Sequence, residues 1–405
     1  MTMAQWRCRI AIVLLVAGLA RNSTALAQPV PSSFEDAMAT EAAWITGQAQ
    51  ASCPNSADGA IGQSAFPASG AQIVDAYRGN FAAIGLLAAG PAYYSNVERW
   101  ATWYINHINW PDNLNQYATI YWYDVDANFC TEAPSTVTKG LTKPGYDAQD
   151  SWAATYLTLM AAWAKADPVN ATAFIDRWAY QLDAIANAAY AMRQPASGLT
   201  GAKVNWLAQY LMDNSEVVEG LNSYVWVATN VLRDPNKVNY WTPRAQGINT
   251  AIQTGLWQQC GAQTYCDAYG DTPLPWASCY PAQPTNGSYE YFWDNGLTGE
   301  AQVWPALSRV APDNAVAAFQ KLDQYCPTWK TEAGLPSTQS GYPLLTDSGI
   351  GLAAAIAGNT GEATTWLSQA AARWMVDHPW PWTVFDAGNA IRTANLLNGG
   401  PDPVP

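Results

Sequence analysis

The stretch that decides the fold is Gly145-Tyr-Asp147-Ala-Gln-Asp150-Ser-Trp152-Ala-Ala-Thr-Tyr156-Leu-Thr-Leu-Met160. Two carboxylates stand three residues apart, directly ahead of a run that is apolar on nearly every face. A helix that is apolar all round must be enclosed by other elements, whereas an amphipathic one meets water on one side. A second stretch repeats the arrangement, Tyr210-Leu-Met-Asp213-Asn-Ser-Glu216-Val-Val-Glu219-Gly220, again running into apolar helix.

Working outward, apolar spacing at three and four residues, bounded by Gly and Pro, predicts about twelve helices. They span roughly 34–50, 72–89, 93–108, 147–166, 170–194, 213–233, 236–257, 298–309, 312–325, 346–358, 361–376 and 383–397. Those at 72–89, 147–166 and 346–358 are apolar nearly all round; those at 93–108, 170–194 and 361–376 are amphipathic. Six enclosed helices alternating with six outer ones predict an all-α double-ringed toroid. Segments 109–146, 195–212, 258–297 and 326–345 each separate an outer helix from the next inner one. With the inner helices parallel, these loops gather at one end of the barrel, where a binding site is expected. Within them, 119–124 and 288–293 read as short strands.

The first residues stand outside this pattern. Arg7 and Arg9 precede an apolar run from Ile10 to Ala20, and Ala25-Leu26-Ala27 supplies small residues for cleavage. Residues 1–27 therefore read as a secretory signal peptide, and 28–405 as one helical domain, secreted or periplasmic. No linker rich in Gly/Ser or Pro/Thr divides that domain. No later stretch is long and apolar enough to enter a membrane. Cleavage removes three arginines (Arg7, Arg9, Arg21) and no acid, shifting the net charge from −13 to −16. So acidic a chain seeks neither phosphate backbones nor anionic membranes, which excludes nucleic acid as a partner. Cys8 leaves with the signal; the six remaining cysteines predict up to three disulfides, with the pairing open. No metal or cofactor motif is present, neither a Cys-x-x-Cys, a His-Glu-x-x-His nor a phosphate-binding glycine loop.

The chain resembles the six-hairpin glycosidase-like superfamily, whose members form an (α/α)6 barrel. The resemblance rests on the outer/inner alternation and on three segments: 146–157, Leu211-Met-Asp-Asn-Ser-Glu-Val and Glu300-Ala-Gln-Val-Trp-Pro. It implies work on carbohydrate without fixing the reaction.

Inverting hydrolysis needs one carboxylic acid to protonate the leaving oxygen and one carboxylate to activate water, about 6.5–9.5 Å apart. Asp147 and Asp150 are helical neighbours pointing the same way, so they cannot straddle a sugar. One partner is expected from the second stretch, which makes Asp150 and Glu216 the leading pair. Asp147 and Asp213 stand where helix caps stand, and are expected to cap at least as readily as to react. A helix N-terminus favours the ionised form, which suits Asp150 as base. Crowding by Asp213 and Glu219 suits Glu216 as acid. Tyr146, Trp122, Trp206 and Trp293 are the expected stacking platforms. Lys203, Asn80, Asp294 and Glu300 are expected to bind hydroxyls. The expectation is an exported glycoside hydrolase acting by inversion on a poly- or oligosaccharide. A polysaccharide lyase on the same fold and a non-catalytic glycan-binding protein are its rivals.

Overall fold

The computed structural model describes residues 29–136, 142–257, 266–269, 272–275, 301–336, 344–346 and 348–405. The predicted apolar runs form helices that start and stop at identifiable residues. The first inner helix shows how. Asp75 accepts a hydrogen bond from the Tyr77 amide at 3.1 Å and so caps it, and Gly90, at a φ of 110°, ends it.

In chain order the helices are α1 (Phe34–Trp44), α2 (Ala76–Ala89), α3 (Tyr94–Asn106), α4 (Gln149–Ala166), α5 (Pro168–Arg177), α6 (Ala179–Ala191) and α7 (Leu211–Asn230). They continue with α8 (Pro235–Ala251), α9 (Trp304–Leu307), α10 (Pro312–Tyr325), α11 (Trp329–Glu332), α12 (Ser348–Ile356), α13 (Thr360–Arg373) and α14 (Val384–Leu397). Packing closes a ring in the order α2, α4, α7, α9, α12, α14 and back to α2. Each inner helix is backed by an outer one: α3 on α2, α5 and α6 on α4, α8 on α7, α10 on α9, α13 on α12, and α1 on α14. This is the (α/α)6 toroid.

Glycines let the inner helices approach closely. A Cβ on Gly85 of α2 would lie 2.5 Å from the Gly388 Cα of α14, and one on Gly220 of α7 would lie 2.4 Å from the Ala154 carbonyl oxygen of α4. No side chain fits either crossing without moving backbone.

The predicted elements need corrections: among the described residues the helix expected at 298–309 runs over Trp304–Leu307, and the insertion at 326–345 holds the helix Trp329–Glu332. Residues 72–74 extend from the predicted first inner helix as a strand, because the β-branched Ile73 and Val74 pair with Asp124 and Tyr123. The strand expected at 119–124 runs instead over Tyr123–Asp126, between Gln72–Val74 and Thr131–Pro134. The helix expected at 170–194 breaks at Trp178 into two. The strand expected at 288–293 lies outside the described residues, as does the predicted signal peptide. Cys53 and Cys130 form a disulfide that ties the loop after α1 to the β-ribbon. No helix among the described residues is long and apolar enough to cross a membrane.

Candidate active site at the mouth of the barrel

Tyr77, Trp304 and Phe385 come from the first turns of three inner helices and Glu216 from the second turn of a fourth, and they meet. The inner N-termini therefore share one end, the mouth. The Tyr77 hydroxyl donates to Glu216 Oε1 at 2.6 Å and the Trp304 indole donates to the same oxygen at 2.8 Å. Since α2 and α7 are not neighbours in the ring, the Tyr77–Glu216 bond crosses the bore. Phe385 lies nearly parallel to both aromatic partners, with centroids 5.8 Å from Tyr77 and 6.2 Å from Trp304. Together these rings make an aromatic floor beneath the mouth, with Tyr77 and Phe385 half-buried.

The four candidate carboxylates separate by depth. Asp150 is fully buried and Glu216 is 1% exposed, whereas Asp213 is half-buried and Asp147 exposed. Burial pushes Glu216 up to about 8, with the charges of Glu219 and Asp150 adding to it and the bonds from Tyr77 and Trp304 opposing. Its Oε2 is buried without a partner. Burial likewise pushes Asp150 up to about 7, against hydrogen bonds from Thr200 and Ser151 and with help from the Asp147 charge. Asp150 was expected to ionise easily at its helix start; loss of water outweighs the helix terminus. The charge of Asp150 adds to the rise of Glu216, and the two stand on adjacent inner helices.

Asp150 has a further engagement. The Thr200 hydroxyl donates to Asp150 Oδ2 at 2.7 Å, and Ser151 N–H donates to Oδ1 at 2.9 Å. The Thr200 N–H donates to Asn214 Oδ1 at 2.7 Å, and the Asn214 side chain donates back to the Thr200 carbonyl at 3.1 Å. Asp150 thus clamps the loop before α7 to the residue that follows Asp213. The cap positions belong to neither Asp147 nor Asp213: Ala148 precedes α4 and Tyr210 precedes α7, neither with a side-chain cap.

Several expected ligands turn inward. Asn80 is fully buried, donating to Thr155 Oγ1 at 3.0 Å and accepting from the Trp100 indole at 3.1 Å, so it staples α2 to α3 and α4. Tyr146 is 3% exposed and its hydroxyl donates to Asp112 at 2.8 Å; a ring so covered offers no face to a sugar. Trp122 is half-buried, edge-on to Trp152. Trp206 is 37% exposed on a turn with Lys203, whose ammonium donates to the Tyr146 carbonyl at 2.8 Å. Burial lowers Lys203, opposed by the nearby Asp147 charge. Trp293, Asp294 and Glu300 lie outside the described residues. Among the described residues no three His, Cys, Asp or Glu side chains converge to hold a metal ion.

Thr200, Asn214, Trp304 and Phe385 were missed as site builders. One signal was available: inner helices repeatedly carry an aromatic residue in the first turn, as at Tyr77, Trp152, Trp304 and Phe385.

No family model matches the chain, and no curated protein matches it. Among solved structures it is similar to a wild-type glycosidase at 15% identity and a TM-score of 0.57, over 91% of this chain and 98% of that one. It is also similar to the GH63 mannosylglycerate hydrolase from Thermus thermophilus in complex with glucose, at 10% identity and 0.55, over 88% and 99%. A family 76 glycoside hydrolase from a bovine Bacteroides thetaiotaomicron strain follows at 9% and 0.50, over 91% and 78%. At these identities the likeness is one of fold, the (α/α)6 barrel.

Proposed function

We propose that the chain is an exported glycoside hydrolase that cleaves a poly- or oligosaccharide at the mouth of the barrel by inversion. The observation that carries the reading is the pair of carboxyl-bearing starts of two adjacent inner helices, Asp147/Asp150 and Asp213/Glu216, with Glu216 held by Tyr77 and Trp304 at the mouth, in a fold shared with glycosidases. The Cys53–Cys130 disulfide supports an oxidising compartment.

A group that exchanges a proton with a sugar must touch it. That requirement favours Asp147 and Asp213, the accessible member of each pair, as the groups that meet substrate. Lys203 beside Asp147 favours its ionised form, so Asp147 takes the proton from water. Asp213, on the neighbouring helix, donates to the leaving oxygen. Asp150 and Glu216 stand beneath them: Asp150 positions the Asp213 turn through Thr200 and Asn214, and Glu216 anchors the floor. The helix terminus opposes protonation of Asp213, so the sugar must displace water from the mouth before the proton is transferred.

A panel of neutral and acidic polysaccharides, read in parallel for new reducing ends and for unsaturated uronate absorbance, tests the reaction. Reducing ends without that absorbance, with the product anomer inverted by NMR, are expected. A lyase is the second reading, favoured by Tyr77 and Arg78 side by side at the mouth, a phenol and a guanidinium. Against it, the Tyr77 hydroxyl is bonded to Glu216 and Arg78 pairs with Asp75 at 3.3 Å. Absorbance from unsaturated uronate would replace the first reading with the second.

A further inference from the structure

Three aromatic rings stand exposed outside the ring of inner helices, where the loop after α3 meets α6. Trp110, Tyr117 and Tyr180 are 45%, 54% and 73% exposed. The ring centres of Tyr117 and Tyr180 each lie 5.9 Å from that of Trp110, inclined to it by 57° and 45°. The loop that presents two of them is built rather than loose. Asp112, only 8% exposed, accepts from the amides of Leu114 and Gln116 and from the hydroxyls of Thr119 and Tyr146, all at 2.8 Å. The Asn109 side chain donates to both the carbonyl and the hydroxyl of Thr119 at 3.1 Å. Holding large rings in water forgoes hydrophobic stabilisation, and a contiguous patch of them marks a contact surface.

The chemistry of the patch narrows its occupant. Its rings are Trp and Tyr alone, and among the described residues the Trp110 indole and the Tyr117 and Tyr180 hydroxyls bond no protein group, which leaves three polar edges for a ligand. Asp112 is the only charged residue in 108–121, and it is buried and saturated; before Tyr180, the exposed Asp176 and Arg177 are of opposite charge, and Arg177 lies over the Trp178 ring, so the patch carries no net charge. The ligand is therefore uncharged, with flat apolar faces rimmed by hydroxyls. We propose that Trp110, Tyr117 and Tyr180 form a surface site for a neutral polysaccharide chain, distinct from the mouth. A second copy of this chain would need about 800 Å² per partner, more than three half-exposed rings supply. An anionic lipid surface would call for basic residues, which the loop lacks.

The proposal takes its ligand class from the carbohydrate reading, and its test needs no turnover. Affinity electrophoresis of the full chain in gels containing mannan, β-glucan or starch, with polygalacturonate as the anionic control, measures binding directly. At least one neutral polymer is expected to retard the protein and polygalacturonate to leave it unshifted. Trp110→Ala with Tyr180→Ala is expected to weaken that retardation about tenfold. Tyr180→Ala alone, an exposed helical position that accepts Ala, should weaken it partially. Hydrolysis of a short soluble oligosaccharide should be unchanged in both variants. Equal retardation of wild type and double variant, or no retardation by any neutral polymer, overturns the proposal. So does loss of a dimer in sedimentation, or of binding to phosphatidylcholine vesicles, as the effect of the double variant. Retardation lost in the variants of a protein that hydrolyses nothing would retain this site and remove the hydrolase reading.

Discussion

At the mouth of the barrel Asp150, Glu216 and Asp386 are buried among hydroxyl, indole and amide donors with little cationic help. At the opposite end Asp402 is buried between Arg392, at 2.9 Å, and Arg309. There the C-terminal residues fold back under the inner helices. Lys165, at the end of α4, donates to the carbonyls of Asp402 and Val404 at 3.1 and 3.2 Å. Burial alone would raise Asp402, but Arg392 and Arg309 outweigh it and hold it below the usual carboxylate range. Burial pushes Asp386 up to about 6, with only Arg78 as a distant cation. The same residue type in the same barrel is thus kept charged at one end and pushed toward neutrality at the other. Glu219, between the two ends, belongs with the mouth: burial raises it to about 7 although Arg309 lies 3.8 Å away. A charged end is structural; at the mouth, buried carboxyls pushed toward neutrality stand beneath the accessible acids Asp147 and Asp213.

The sharpest way to break this contrast is to remove the accessible acids. Asp213→Asn and Asp147→Asn are each expected to lower kcat by about 10²–10⁴-fold with folding intact, checked by kinetics and thermal denaturation. Asp150→Asn should cost less in kcat and more in thermal stability, because it loosens Thr200. Full activity in both Asp213→Asn and Asp147→Asn would remove them from the chemistry.

At the opposite end the effect should be on stability alone. Arg392→Ala leaves Asp402 short of its buried cation and is expected to cost about 3–5 kcal/mol, read by urea denaturation. Activity at temperatures where the variant stays folded should be unchanged. A loss of kcat there would mean that the two ends are coupled.

Next in size is the pH dependence. Glu216 binds its proton more tightly folded, at about 8, than unfolded, at about 4.5. Its contribution is fully present below the unfolded value and lost as pH rises through the folded one. Asp150 and Asp386 have the same sign. Glu132 has the opposite sign. Burial would raise it, but hydrogen bonds from His107, Ser56 and Trp103 outweigh that and bring it down to about 2. Its contribution is present above about 4.5 and lost as pH falls toward 2. Glu216→Gln should flatten the stability decline between about pH 4.5 and 8 and leave the acid limb unchanged. An unaltered decline would mean that Glu216 is already ionised in the native protein.

The alternation of enclosed and amphipathic runs made the toroid legible, because helix periodicity reports directly on which faces meet water. The loop-rich end was legible for the same reason. Depth within the site was not. Asp147 and Asp150 look equivalent as letters three apart, yet one meets solvent and the other a Thr200 hydroxyl supplied from fifty residues away. Nor could Tyr146 be told from a stacking platform, since its burial depends on Asp112 in a loop whose path no periodicity describes. Glu216 was found because it lies inside an enclosed helix; its partners are Trp304 from the next helix of the ring and Tyr77 from across the bore, neighbours that local pattern does not encode.

The smallest expected effect lies at Asp75, where the mouth does hold an ion pair. Asp75 caps α2 and pairs with Arg78 at 3.3 Å, one turn on. Asn accepts the same amide hydrogen bond, so Asp75→Asn keeps the cap and removes only the charge. The pair is partly solvated at Arg78, and its loss should cost about 0.5 kcal/mol or less by denaturant titration. The informative quantity is the sign of the change in activity. If the mouth works by withholding cations from its acids, Arg78 freed from Asp75 turns its charge toward Asp386 and the floor, favours ionised carboxylates, and shifts the acid-to-neutral activity profile to lower pH. An unshifted profile would confine Arg78 to the wall of α2, and the mouth's proton-holding character would rest on burial alone.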